Sequence, residues 1–273
     1  MKTIGIIGGM GATTGVDLAN KIIEQTQTEN DHDCIPMVLL SYPHQIPDRT
    51  AFLQAKTQQN PAKNIVKLIQ KLEIMDANVI GMPCNTAHAP KIYNPIIRKL
   101  KQSGSKIKLV NMLDATAEFL SLNYPHLKRI GLLATLGTYQ TKVYESRFSQ
   151  YDIQIINPST TVKESTHDAI YGIKSGTGSE CDKTHQLLYA AIENLAKNKA
   201  QAIILGCSEI ALVIKKSHHQ HIPLFDPTTI LARKLIQLTQ PEKLKPLHKN
   251  PQVIAFNSRR EQLSSMIDSL AYK

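Results

Sequence analysis

Short apolar runs alternate with amphipathic stretches along most of the chain. The runs fall at 3–7, 37–40, 79–82, 107–110, 130–134, 153–156, 202–205 and 222–224. Each reads as a strand that is apolar on both faces. Between them, helical spacing of apolar positions marks 13–28, 59–73, 87–101, 114–122, 139–150, 162–174, 182–198 and 227–239. Strands buried on both faces, separated by helices, predict mainly parallel sheets covered on each side, an α/β fold. Right-handed crossovers would then place a ligand beyond the carboxyl ends of the strands.

Two signatures recur. Ile4-Gly5-Ile6-Ile7 before a glycine turn is repeated as Ile130-Gly131-Leu132-Leu133 before Ala134-Thr135-Leu136-Gly137-Thr138. The stretch from Ala77 to Thr86, with Pro83-Cys84-Asn85, resembles the stretch from Ala200 to Glu209, with Gly206-Cys207-Ser208. The spacings, residue 130 against 4 and residue 207 against 84, are nearly equal. Two similar α/β lobes are expected, 1–112 and 113–225, with an active site between them and one cysteine from each. The helix at 227–239, with Asp226 as N-cap and Pro227 at its first position, should return to the first lobe. Residues 241–273 read as an extension that closes with a helix over 258–272.

Composition narrows the partners. No apolar run approaches the roughly 18–20 residues that span a bilayer, so a cytoplasmic protein without a membrane contact is expected. The four cysteines, Cys34, Cys84, Cys181 and Cys207, form no C-x-x-C pair and no disulfide framework. A formal charge of +10 favours anionic partners: nucleic acid, a membrane surface or small acidic metabolites. The basic positions Lys91, Arg98, Lys99, Lys101, Lys106 and Lys108 have no aromatic platform among them, so a solvated face is preferred over a nucleic-acid site.

Candidate chemistry gathers at strand ends. Gly8-Gly9-Met10-Gly11 follows the first strand, where backbone N–H groups could face an anion. Its spacing fits neither a P-loop nor a dinucleotide fingerprint, which leaves a small carboxylate, or simply a tight turn. Cys84 lies where a strand gives way to a helix, with Asn85 and Thr86 placed to cap it. Helix N–H groups would lower the thiol pKa and make it a nucleophile or a proton-transfer base. Alone, such a cysteine is more often a small buried hydrophobe. Cys207 in the matching place shifts the balance, because one thiol per lobe is what a two-base proton transfer requires. Arg49 could clamp a carboxylate through paired N–H bonds, and Asp48 could meet an ammonium group or hold Arg49. As isolated charges these two, Lys174 and Glu209 also fit a solvated surface. Cys84 and His88 have the spacing of a metal-ligand pair but no third ligand nearby, so no metal is expected.

The chain resembles the cofactor-independent aspartate/glutamate racemases from residue 3 to about 239. The carriers are Gly8-Gly9-Met10-Gly11, Gln45-Ile46-Pro47-Asp48-Arg49-Thr50, Met82-Pro83-Cys84-Asn85-Thr86-Ala87-His88, Gly131-Leu132-Leu133-Ala134-Thr135, Ile170-Tyr171-Gly172-Ile173-Lys174, Gly206-Cys207-Ser208-Glu209 and Asp226-Pro227. The resemblance implies two similar α/β lobes, commonly in a homodimer, that interconvert L- and D-aspartate or glutamate without pyridoxal phosphate or any other cofactor. It implies Cys84 and Cys207 as the acid–base thiols. Met10, Asn85, Thr86, Thr135 and Ser208 match substrate-lining positions, Arg49 and Lys174 match those that bind the side-chain carboxylate, and Asp48 and Glu209 match acidic positions that assist the thiols or bind the ammonium. The sequence departs from the family at Ala12, where Pro is usual, at Ser208, where Thr is usual, and over 41–44. Aspartate is the expected substrate because both cations are present. The alternatives are a broad-specificity racemase of the same family, or a non-catalytic anion- or nucleic-acid-binding protein on its scaffold.

Overall fold

The computed structural model describes residues 2–176 and 182–247. The order of elements begins β1 (Thr3–Gly8), α1 (Thr14–Gln25), β2 (Met37–Ser41), α2 (Arg49–Leu53), α3 (Ala62–Ile74), β3 (Ala77–Gly81), α4 (Pro90–Gln102) and β4 (Lys108–Leu109). It continues with α5 (Met112–Asn123), β5 (Arg129–Leu133), α6 (Leu136–Thr141), α7 (Val143–Phe148), β6 (Gln154–Ile156), α8 (Thr160–Lys174) and α9 (Asp182–Lys197). Last come β7 (Ala202–Leu205), α10 (Ser208–Val213), β8 (His218–His219), β9 (Ile222–Phe225) and α11 (Pro227–Thr239).

The strands build two sheets, in the orders β2-β1-β3-β4 and β6-β5-β7-β9-β8. All pairings are parallel except β8 with β9. With β8 set aside the two orders are the same, so β1 corresponds to β5 and β3 to β7. The repeat in the sequence is therefore a repeat of topology. Residues Ile4 to Gly8 of β1 and the whole of β7 are buried, which is why these segments read as unbroken apolar runs.

Each sheet is covered on both faces. Ile65, Leu68, Ile69 and Leu72 of α3 pack with Ile92 and Ile96 of α4 against one side of the first sheet. On its other side Leu18 and Ile22 of α1 meet Leu231, Leu235 and Ile236 of α11 over Ile4, Ile6 and Val79. The second sheet lies between a cluster holding Leu113, Leu120, Tyr144 and Phe148 and one holding Ile170, Leu188, Ile192 and Leu195. Asp226 starts α11 by accepting from the N–H groups of Thr228 at 2.8 Å and Thr229 at 3.2 Å, with Pro227 at the first position.

Several boundaries differ from the pattern-based expectation. The helix expected from residue 87 begins at Pro90, preceded by a single 3₁₀ turn over Asn85–His88. The pyrrolidine of Pro90 disfavours helical backbone at Ala89 and so separates the two. The helix expected over 139–150 is two short helices, α6 and α7, parted at Lys142, whose φ of 48° is left-handed. Two short helices, α2 and α10, and the two-residue strand β8 lie outside the helices and strands expected from the pattern. Cys181 and the expected helix at 258–272 lie outside the described residues. Among the described residues no helix is long and apolar enough to cross a membrane.

Candidate active site

Most candidate residues follow the carboxyl ends of strands in the two sheets, and Lys174 comes from the C-terminal end of α8. Cys84 follows β3 and Cys207 follows β7, both in extended backbone at the N-cap of what comes next. Both thiols are buried, at 6% and 7% exposure. Ser208 Oγ donates to the carbonyl of Pro83 at 2.9 Å, which ties the residue after one cysteine to the residue before the other. The elements that follow are shorter than expected. Asn85 and Thr86 cap no helix, and Cys84 faces one 3₁₀ turn instead of the dipole of a long helix. Cys207 precedes α10, a helix of 6 residues.

Glu209 is the hub of the second cysteine loop. Its Oε2 accepts from the Cys207 thiol at 2.8 Å, and its Oε1 accepts from the N–H of Gly11 at 3.0 Å. A side chain at residue 11 would place its Cβ 2.8 Å from that oxygen, so it would displace the Glu209 carboxylate from this position. Gly9, in the same loop, has φ +86° and abuts the backbone of Pro43. Burial first, and then the charge of Glu209, push the Cys207 thiol well above its ordinary pKa, and Lys174 only partly offsets them. Cys207 therefore holds its proton.

Two cations face this cluster. Burial works against the charge of Arg49, but Cys84, Asp48 and Glu209 outweigh it and hold its pKa up. Its Nη1 donates to the carbonyl of Pro47 at 3.2 Å, and its buried Nε has no acceptor among the described residues. Lys174 is likewise held up against burial, mainly by Cys207 and Glu209, with a smaller pull from Cys84. Asp48 serves two ends. It caps α2 by accepting from the Ala51 N–H at 2.6 Å, and it accepts from the Tyr171 hydroxyl at 2.9 Å. Despite burial, the Ala51 N–H, Arg49 and Tyr171 hold the Asp48 carboxyl below its ordinary pKa.

A patch of hydroxyls joins the two sheets' loops. Thr86 lies 3.0 Å from both Thr135 and Thr138, and Thr135 and Thr138 are 3.2 Å apart. Thr135 also caps α6, and Thr50 reaches it at 3.5 Å. Asn85 accepts from the Tyr144 hydroxyl at 2.6 Å. The Met10 side chain is buried in the apolar cluster with Ile7, Ile46, Met82 and Cys84, so its backbone is the part left to meet a ligand.

His88 is not paired with the Cys84 thiol. Its Nδ1 lies 2.9 Å from the Cys84 carbonyl, and its Nε2 accepts from the Met112 N–H at 3.2 Å. Those partners fix the neutral Nδ1–H tautomer, and complete burial lowers the pKa to about 4. The imidazole braces the Cys84 loop against the start of α5. Among the described residues no cluster of His, Cys, Asp and Glu is placed to hold a metal. Lys91, Arg98, Lys99, Lys101, Lys106 and Lys108 are all exposed.

The structure thus joins Gly11, Cys207 and Glu209, Thr86 and Thr135, and Ser208 and Pro83, with Arg49 in electrostatic reach of Cys84 and Lys174 in reach of both cysteines. Sequence reasoning gave no role to Thr50, Thr138, Tyr144 or Tyr171. Tyr171 stands three residues before Lys174 on α8, a helical spacing that could have flagged it. Tyr144 carried no signal, since a tyrosine on a short amphipathic helix reads as core.

A sequence model of the Asp/Glu/Hydantoin racemase family matches residues 7–235. The aspartate racemase of Picrophilus torridus superposes with a TM-score of 0.74 at 28% identity, covering 87% of this chain and 94% of that one. The broad-specificity amino-acid racemase of Bacillus subtilis is 24% identical over 240 residues, 85% of this chain and 96% of that protein. The glutamate racemase of Francisella tularensis, at 16% identity and a TM-score of 0.59, shares the fold over 91% of this chain and 85% of its own.

Proposed function

Starting from a chain that belongs to the Asp/Glu/Hydantoin racemase family, we propose an amino-acid racemase that inverts aspartate by proton transfer between two thiols. The observation that carries this reading is the Ser208–Pro83 hydrogen bond, which draws the loops of Cys84 and Cys207 together at equivalent ends of two sheets. In this reading residues 1–112 with α11 form one lobe and 113–225 the other, and the substrate lies between.

An amino acid has no electron sink of its own for the charge that develops when Cα loses its proton. Fixed donors in a closed cleft supply the stabilisation: backbone N–H groups near Met10, the hydroxyls of Thr86 and Thr135, and the Asn85 amide, directed at the α-carboxylate. Cys84, as thiolate, takes the proton from one face of Cα, with the Arg49 guanidinium beside it. Cys207 delivers its own proton to the opposite face, leaving a thiolate next to Lys174. The bond from Cα to hydrogen breaks on one side and forms on the other, so the products are the opposite enantiomer, a Cys84 thiol and a Cys207 thiolate. Roles exchange in the reverse direction, and proton exchange with solvent resets the pair.

Arg49 and Lys174 favour a substrate with a second carboxylate, because Arg49 is buried and pairs with planar anions. The similarity to the Bacillus subtilis enzyme named for broad specificity favours a second reading, in which neutral amino acids also turn over. A homodimer in the cytoplasm belongs to the same proposal. The test is enantiomer analysis after incubation with L-aspartate, L-glutamate and L-alanine. Aspartate converting fastest supports the reading. Equal rates favour the broad-specificity alternative, and no conversion of any of them overturns the racemase proposal.

A further inference from the structure

Asn85 presents an uneven hydrogen-bond account. It is 2% exposed, its Oδ1 accepts from the Tyr144 hydroxyl at 2.6 Å, and its Nδ2 has no acceptor among the described residues. A buried amide donor without a partner is costly, so its persistence beside Cys84 marks it for a ligand. Tyr144 comes from the other half of the molecule, on α7, and is fully buried against Phe148 with ring centroids 5.4 Å apart.

We propose that Tyr144 is a positioning residue that fixes the Asn85 side-chain amide, engaging its oxygen so that its two N–H donors face the carboxylate of the bound amino acid. A reversed amide would offer that carboxylate an oxygen, which repels it. The phenol also polarises the amide, and a carbonyl that accepts a strong hydrogen bond makes its own N–H groups better donors. Burial holds the Tyr144 phenol well above its ordinary pKa, so the donor stays protonated across the working range. Because the donor and the amide come from opposite lobes, the amide is set only when the lobes are together. This inference rests on the racemase reading and names one device within that site.

Four proteins test it: the wild type, Tyr144→Phe, Asn85→Ala and the double variant. The readouts are kcat and KM for aspartate racemisation and the Kd of succinate by calorimetry. Tyr144→Phe keeps the ring and its packing, and should lower kcat/KM by about tenfold, the scale of one hydrogen bond. Asn85→Ala should lose about 100-fold, the scale of one carboxylate-stabilising donor. The double variant should lose no more than Asn85→Ala alone, because Tyr144 acts only through that amide. Losses that multiply in the double variant, or a Tyr144→Phe variant equal to wild type, would overturn the inference. Succinate binding needs no turnover and separates the two levels. The same pattern in Kd with no racemisation would sink the enzymatic reading and keep the positioning one, whereas a chain that neither racemises aspartate nor binds succinate would refute both.

Discussion

Ser208 donates its hydroxyl to the carbonyl of Pro83 at 2.9 Å, and through that one bond the two cysteine loops meet. The bond joins corresponding loops of two sheets with the same strand order. In the proposed mechanism the two buried thiols of those loops act on one substrate carbon. Replacing either Cys84 or Cys207 by alanine should therefore lower racemisation by about 1000-fold or more, since each removes an acid or a base that the other cannot replace. Enantiomer analysis measures the loss, and unchanged far-UV circular dichroism shows that the fold survives. Turnover within tenfold of wild type in either variant would contradict the two-thiol scheme.

The Cys207 thiol donates to Glu209, and the charge of that carboxylate helps keep the thiol protonated. Glu209→Gln keeps an oxygen for the Gly11 N–H but removes the charge. The thiol pKa should then fall, though burial still holds it up. Loss of the protonated thiol ends activity on the alkaline side, so the alkaline limb of kcat/KM should move to lower pH in the variant. A limb that stays in place would separate Glu209 from the proton transfer.

Arg49 is buried at 7% exposure among Cys84, Asp48 and Glu209. If it binds the side-chain carboxylate, Arg49→Ala should weaken kcat/KM for aspartate by about 100-fold, the scale of a charged hydrogen-bonded pair, with a much smaller effect on alanine. Parallel assays with the two substrates check this. Equal losses would assign Arg49 to the structure of the loop alone.

Much of the architecture could be read from the sequence because parallel strands buried on both faces leave unbroken apolar runs, as in β7. The matched cysteines could be read for the same reason, each directly after such a run. What escaped the pattern was local. Pro90 is visible in the sequence and accounts for the break at Ala89, but the 3₁₀ turn over Asn85–His88 before it has no signature of its own. The left-handed Lys142 leaves no trace, because lysine has no preference for that conformation. Side-chain pairs that cross between the sheets, such as Tyr144 with Asn85 or Tyr171 with Asp48, depend on how the halves pack and have no sequence period.

His88 gives a stability test apart from catalysis. In the native state it is neutral, with a pKa lowered to about 4, whereas unfolded histidine titrates near its ordinary 6.5. Below pH 6.5 the unfolded chain therefore takes up a proton that the native chain refuses until about pH 4. Stability is held above 6.5 and falls as the pH drops toward 4, by about 3 kcal/mol over that window. Urea denaturation at pH 7 and pH 4 should show His88→Gln losing about 3 kcal/mol less than wild type between the two. The same pH dependence in both proteins would mean that the imidazole is charged in the fold.

Racemisation of L-aspartate in D₂O, stopped at low conversion and analysed by mass spectrometry of the separated enantiomers, addresses the central claim most directly. With one sulfur taking the proton and the other supplying it, the D-aspartate formed carries one solvent deuterium while the remaining L-aspartate stays unlabelled. Deuterium entering both enantiomers equally from the start, or D-aspartate that keeps its original hydrogen, would contradict the account.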